Sequence, residues 1–323
     1  MTIDTAPGKI ILFGEHAVVY GQPAIAAPLS HVRAYAVVKN NPNPGIRLIA
    51  PDLGSDILLS DADTDDAIAA VVTQLQKAAN IQELPDLTIT VSSQIPIASG
   101  LGSGAAIAAA VIRALAVHLG LGYLLTDEWV SDQTYEIEKI HHGTPSGIDN
   151  TVVAYERPVY FVRHQPRNHI EPFAVAKPLR LLVADTGIRS STKDVVGDVR
   201  RQWELDSSTF NTIFESCGRI ANTARQALEA GDVAQIGQLM TENHALLQKM
   251  SVSEPKLDRL VEVALAAGAL GAKLSGAGRG GNMIALVTDD VETAVSTALL
   301  SANAKNILTT TILPTKNFPP QGG

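Results

Sequence analysis

Apolar and polar positions in this chain follow two periods, and the shorter one dominates the first third. Residues 9–14 (KIILFG), 33–40 (RAYAVVKN) and 46–51 (IRLIAP) are rich in β-branched and apolar side chains, with the turn cluster NPNPG at 41–45 between the last two. They predict strands. The acidic run SDADTDD (60–66) reads as a solvated loop feeding a helix over roughly 66–79, because carboxylates favour a helix N-terminus. LTITVSS (87–93) predicts another strand. An alanine-rich run then predicts a helix to about Leu119, closed by GLG at 120–122. Thr126 can cap the next helix, which starts at Asp127 and ends near Gly143. Strands follow at 158–162 and 179–186, and the segment from about 193 to 250 reads as helical. PKLDRLVEVALAAGA (255–269) is a further helix. AKLS, NMIALV, VETAVSTALL and NILTTTIL then read strand, strand, helix, strand.

At 323 residues the chain is long for one core, which predicts two domains. The boundary is placed near 165–180 and taken as 1–170 and 171–323. Apolar residues make up 46% and aromatics only 4%, so the core is aliphatic and suits helices packed on sheets. The net charge of -8 argues against a nucleic-acid or anionic-membrane surface. An anionic substrate therefore needs a local basic or amide-lined pocket. The single cysteine, Cys217, cannot form an intramolecular disulfide and reads as packing. No run of 18 apolar residues occurs, and MTIDTAPGKI lacks the build of a secretory signal. The expectation is a cytoplasmic protein.

Candidate chemistry concentrates in PIASGLGSGAA (96–106), where glycines lead directly into the alanine-rich helix. A helix N-terminus offers unpaired N–H groups and partial positive charge. Glycines let the preceding chain curl so that an anion can approach those donors. The candidate phosphate-binding residues are Pro96, Ser99, Gly100, Leu101, Gly102, Ser103, Gly104 and Ala105. No GxxxxGK[ST] motif is present, so this is not a Walker-type loop. The other reading is a glycine-rich turn with close helix packing, and the residues alone leave both open.

Three stretches together narrow the choice: APGKIILFGEHAVVYGQPA (6–24), PIASGLGSGAA (96–106) and KLSGAGRGGNMIALV (273–287). In order and spacing they resemble the three motifs of the GHMP kinase superfamily. GEHAVVYG, HGTPSGIDNTV (142–152) and DTGIRSSTKDVVGDVR (185–200) resemble its mevalonate-phosphorylating branch. The resemblance spans nearly the whole chain. It implies a two-domain α+β fold, with an N-terminal α/β domain containing a left-handed βαβ unit and a C-terminal ferredoxin-like α+β domain. It also implies ATP-dependent phosphorylation of the 5-hydroxyl of mevalonate with Mg2+, and a homodimer by analogy.

Under this resemblance Asp149 corresponds to the catalytic aspartate and Lys9 to the lysine paired with it. Glu138 corresponds to the magnesium-binding glutamate, with water or Ser103 to replace the serine hydroxyl lost at Gly104, Glu15 and His16 to the pair near the acceptor, and Thr192 to a substrate-side threonine. Arg189 and Lys193 flank Thr192 and could each meet the acceptor's carboxylate. His16 is expected to donate a hydrogen bond to the acceptor. Transfer through a loose transition state needs positioning and charge stabilisation more than a strong base, which an aspartate beside a lysine supplies.

Two positions depart from the family pattern. Gly104 stands where a second serine is usual, so weaker metal binding is expected. Arg279 interrupts the usual glycines of GAGRGG (276–281) and could clash with a phosphate, point to solvent or clamp the phosphate. The competing functions are a kinase for phosphomevalonate or another small hydroxy acid, and a nucleotide-binding pseudoenzyme.

Overall fold

The computed structural model describes residues 1–64, 66–96, 100–142, 145–164 and 168–314, with backbone only at His141 and His142. Among these the chain order is β1 (Thr2–Phe13), β2 (Ala24–Asn40), β3 (Arg47–Ala50), β4 (Ser55–Leu58), α1 (Ala67–Ala78), β5 (Leu87–Ser93), α2 (Ser103–His118), α3 (Asp127–His142) and α4 (Ile148–Tyr155). Then come β6 (Val159–Val162), β7 (His169–Pro172), β8 (Leu179–Asp185), α5 (Thr192–Leu205), α6 (Ser207–Ala230), α7 (Val233–Lys249), α8 (Pro255–Ala266), β9 (Gly271–Ser275), β10 (Asn282–Val287), α9 (Glu292–Ser301) and β11 (Asn306–Ile312). Two compact units result, Met1–Lys9 with Val32–Glu156 and Ile10–His31 with Arg157–Gly323. None of the described helices is long and apolar enough to cross a membrane.

In the first unit β4, β3, β5 and β2 lie side by side in that order. β3 and β5 are parallel, with α1 between them in the chain, and residues 34–40 of β2 run antiparallel to β5. The helix after the glycine-rich stretch is a core helix: nearly every position of α2 from Ala105 to Ala116 is buried. Its alanines explain this, because small side chains let α1, α3, α4 and β5 all approach one helix. The cap expected at Thr126 forms, accepting from Trp129 N–H, and Asp66 at the end of the acidic run accepts from Ala69 N–H. α4 is held at its far end, where Glu156 takes a left-handed conformation and accepts from both Arg33 and Arg113 at 2.8–3.0 Å. That clamp fixes the helix whose first turn carries Asp149.

In the second unit β11, β8, β10 and β9 form an antiparallel sheet in that order. Numbered along the chain this is 4-1-3-2 with helical connections after the first and third strands, the ferredoxin-like arrangement. Leu182, Ala184, Phe214, Leu247, Leu257 and Leu274 are among its core residues. Cys217 is buried with them, and burial pushes its thiol up to about 12, so it stays protonated and inert. The stretch expected to be helical from 193 to 250 is three helices. Asp206 and Asp232 break it by capping α6 and α7, and Gly231 ends α6 at φ +72°.

Candidate active site

The first unit brings together the end of the phosphate-loop candidate, Lys9, Glu138 and Asp149. Gly100 and Gly102 take φ of +76° and +72°, which glycine adopts at no steric cost. Gly102 serves a second purpose, because a Cβ there would lie 2.8 Å from Lys9 Cγ. Lys9 is stitched to this turn by its main chain, N–H to the Leu101 carbonyl at 2.8 Å, and by Nζ to the Gly100 carbonyl at 3.3 Å. The same Nζ lies 3.2 Å from Asp149 Oδ1. Asp149 occupies the first turn of α4, where the helix dipole favours its charge. Gly102→Ala should therefore cost about 1–2 kcal/mol, from left-handed strain and the displaced lysine. It should also lower turnover about tenfold through Lys9. Urea unfolding and steady-state kinetics check the two effects separately.

Around this pair the roles divide by exposure. Leu101 and Ala105 are buried and anchor the turn, so only their backbone can serve a ligand. Gly100 and Gly104 are exposed, Pro96 and Ser103 are half-buried, and Ser99 lies outside the described residues. No side chain caps α2 at Gly102, so its positive end is open to an anion. Glu138 is 6% exposed. Burial pushes its carboxyl up to about 7, the charge of Asp149 adds to the shift, and Lys9 opposes it. A Cβ on Gly104 would lie 3.5 Å from Glu138 Oε1, an ordinary contact, so the missing serine leaves room facing this carboxylate.

The second unit holds the remaining candidates. Glu15 does not face solvent: it forms an ion pair with Lys273, with side chains 1% and 0% exposed. Burial raises the Glu15 carboxyl and lowers the Lys273 ammonium, and each partner's charge opposes the other's shift. Sequence reasoning missed Lys273. The available signal was a lone lysine in an otherwise apolar strand, which requires a buried partner. His16 Nε2 lies 2.8 Å from the Ala277 carbonyl oxygen. A carbonyl only accepts, so Nε2 carries the hydrogen. Nδ1 is buried with no partner among the described residues, and burial holds the ring's pKa below its usual value. The neutral ring thus donates through Nε2 to Ala277 and carries a lone pair at Nδ1.

The loop after β9 is glycine-rich for close packing. A Cβ at Gly278 would lie 2.0 Å from the Val252 carbonyl oxygen, and one at Gly280 would lie 2.6 Å from that of Ile188. Two of the loop amides are already engaged, Arg279 N–H with Val252 O at 2.7 Å and Gly281 N–H with Ile188 O at 2.9 Å. Arg279 sits at φ +53°, and its guanidinium binds Asp198 and the Ser251 carbonyl. It folds back as a staple within its own unit. Thr192 begins α5 and is exposed, as is Lys193, while Arg189 makes a paired contact with Asp185 at 3.1 Å.

Residues 66–157 match the family described as GHMP kinases N terminal domain, and residues 224–306 match GHMP kinases C terminal. The mevalonate kinase of Thermococcus sibiricus is 37% identical over 94% of each chain. Among solved structures, L. major mevalonate kinase in complex with R-mevalonate has a TM-score of 0.85 at 31% identity, covering 98% of this chain and 97% of that one. The Methanococcus jannaschii mevalonate kinase has a TM-score of 0.81 at 27% identity, covering 96% of each. This chain belongs to the GHMP kinase family, on its mevalonate kinase branch.

Proposed function

We propose that the protein transfers the γ-phosphoryl group of ATP to the 5-hydroxyl of mevalonate, giving 5-phosphomevalonate and ADP. The observation that carries this is the Lys9–Asp149 pair at 3.2 Å, with Lys9 tied to the turn that opens α2. The similarity to enzymes that act on mevalonate supports the choice of acceptor.

Asp149 holds the acceptor hydroxyl and takes its proton as the new O–P bond forms. The bond between the γ-phosphorus and its bridging oxygen breaks, and ADP leaves with that electron pair. A loose transition state keeps the demand on a weak base small. Lys9 orients Asp149 and places positive charge beside the transferring oxygens. The amides of Ser103, Gly104 and Ala105 at the open end of α2 receive phosphate oxygens.

Magnesium prefers hard oxygen donors, and commonly takes one or two carboxylates together with substrate phosphates. Glu138 and Ser103 offer such oxygens, and Gly104 leaves space before Glu138, so the residues fit the ion and would hold it. When bound, it neutralises charge on the phosphates. The described residues hold no cluster of three or more His, Cys, Asp or Glu that would form an all-protein cage. Gly104→Ser restores a hydroxyl next to Glu138 Oε1. It should lower the magnesium concentration for half-maximal rate about three- to tenfold, a hydrogen-bond-sized effect. A magnesium titration at saturating ATP and acceptor measures it, and an unchanged midpoint removes position 104 from the ion's surroundings. We place the activity in the cytoplasm, consistent with a single, unpaired cysteine.

An ADP-release assay with mevalonate, phosphomevalonate, galactose and homoserine tests the proposal. Turnover of mevalonate well above the other three is expected. Turnover of phosphomevalonate instead moves the acceptor, and turnover of none favours a nucleotide-binding protein without catalysis.

A further inference from the structure

Within the first unit, β1, α2 and α4 meet twice. One meeting is at the site, through Lys9, the turn that opens α2, and Asp149. The other is a knot of side chains built on Thr5 of β1, Arg33 of β2, Arg113 of α2, and Ala154 and Glu156 at the close of α4. Arg33 forks onto Glu156, Nη1 to Oε2 at 3.0 Å and Nη2 to Oε1 at 2.8 Å. Its Nε donates to the Thr5 hydroxyl at 2.8 Å. Arg113 Nη1 donates to the same Glu156 Oε1 at 2.9 Å and to the Thr5 carbonyl at 3.2 Å. Arg113 Nη2 donates to the Ala154 carbonyl at 2.6 Å, in the last turn of α4. From knot to site the path runs along β1 from Thr5 to Lys9, back along α2 from Arg113 to Ser103, and back along α4 from Glu156 to Asp149. At the ordinary rise of strand and helix these arms are about 13, 15 and 10 Å long.

Net stability is a poor reason for this arrangement. Glu156 holds φ +51°, a left-handed conformation in which glycine is the unstrained choice. A carboxylate at a helix C-terminus meets the negative end of the dipole. Two guanidiniums share the one carboxylate, so their like charges oppose each other across it. The glutamate side chain is 36% exposed, where an ion pair contributes little. What two planar guanidiniums supply is direction, because each nitrogen requires its acceptor in one place. Arg33, Arg113 and Glu156 all lie outside the stretches that carry the family resemblance.

We propose that Glu156, Arg33 and Arg113 are positioning residues for the transfer step: they pin β1, α2 and α4 at a second point, so that Asp149 keeps its place against Lys9 and the α2 turn. This rests on the phosphoryl-transfer reading above. A rod held at two points cannot pivot about one of them. Without the knot α4 can tilt against β1 and α2, and a displacement of about 1 Å at the reacting groups costs up to about a hundredfold in rate.

The test is a double-mutant cycle in the full chain: wild type, Glu156→Gly, Asp149→Asn and Glu156→Gly/Asp149→Asn, with kcat and both KM values for each. Glycine suits the left-handed conformation while removing the carboxylate, so the variant is expected to fold. Its kcat should fall about tenfold to a hundredfold, with both KM values within about twofold. Because the knot acts through Asp149, the same change should cost less than about twofold when residue 149 is already asparagine. A role in stability alone leaves the kcat of the folded protein unchanged. Arg113→Lys keeps the charge but cannot reach Glu156 and Ala154 together, so it should reproduce the loss, and it carries the cycle if Glu156→Gly does not fold. Wild-type kcat in Glu156→Gly, or an equal loss in both backgrounds, overturns the proposal. If the wild type does not turn over mevalonate, the transfer reading fails instead. Crystal structures of wild type and Glu156→Gly then decide the positioning claim: the Lys9–Asp149 contact at 3.2 Å should be lost in the variant, and its retention overturns the claim.

Discussion

Replacing Asp149 with asparagine lowers kcat about 1000-fold and leaves the ATP KM within about twofold. Asparagine keeps the shape of the side chain at the start of α4 and removes both its charge and its capacity to take a proton. The α2 amides proposed to receive phosphate lie on another element, so nucleotide affinity has no reason to follow. The loss belongs to the transition state, where the hydroxyl must be aligned and its proton accepted. A second signature is independent of turnover. The charge of Asp149 contributes to the raised pKa of Glu138, so in the variant Glu138 should titrate below its wild-type value. Steady-state kinetics and carbon NMR of the Glu138 carboxyl measure the two effects. Near-normal kcat removes Asp149 from its role, and an unmoved Glu138 breaks the electrostatic link between them.

The parts of this site that were legible in the sequence are those set by short-range rules. Gly100 and Gly102 announce a turn, the alanines after them a helix, and Thr126 its own cap. Lys9, Glu138 and Asp149 were found by motif, and they do meet in the structure. What stayed hidden depends on long-range partners. The first half of β2 contains Pro28, which argues against a strand. The structure tolerates it because β2 pairs with β6 over 24–26 and with β5 over 34–40, and Pro28 falls between the two registers. The short elements β4, β7 and α4 carry too few residues to show a period. The Glu15–Lys273 ion pair was not read from the sequence, because its partners lie 258 positions apart. Arg279 left three outcomes open, and a fourth was realised, since its partner Asp198 sits 81 positions upstream on α5.

Glu138→Gln should make the protein more stable above neutral pH while lowering turnover about 100-fold. The carboxyl has an ordinary value of 4.5 and is pushed up to about 7 in the folded protein, chiefly by burial. Between those two values the folded state holds more protons at this site than the unfolded state does. Stability therefore falls as pH rises through that window, and the full cost is present above it. A shift of this size corresponds to about 3 kcal/mol at most. Glutamine cannot ionise and is spared this cost, so the variant should gain about 2 kcal/mol at pH 8 and little at pH 4. On the proposed function, the wild type bears the cost because an ionised oxygen facing the space beside Gly104 is what a divalent cation requires. Adding magnesium with ATP should accordingly stabilise the wild type more than the variant, since ligand binding favours the state that binds it. Urea unfolding at the two pH values, with and without magnesium and ATP, gives all four numbers. A variant less stable than wild type at pH 8 would show that Glu138 is held by favourable contacts rather than kept, at a cost, for the ion.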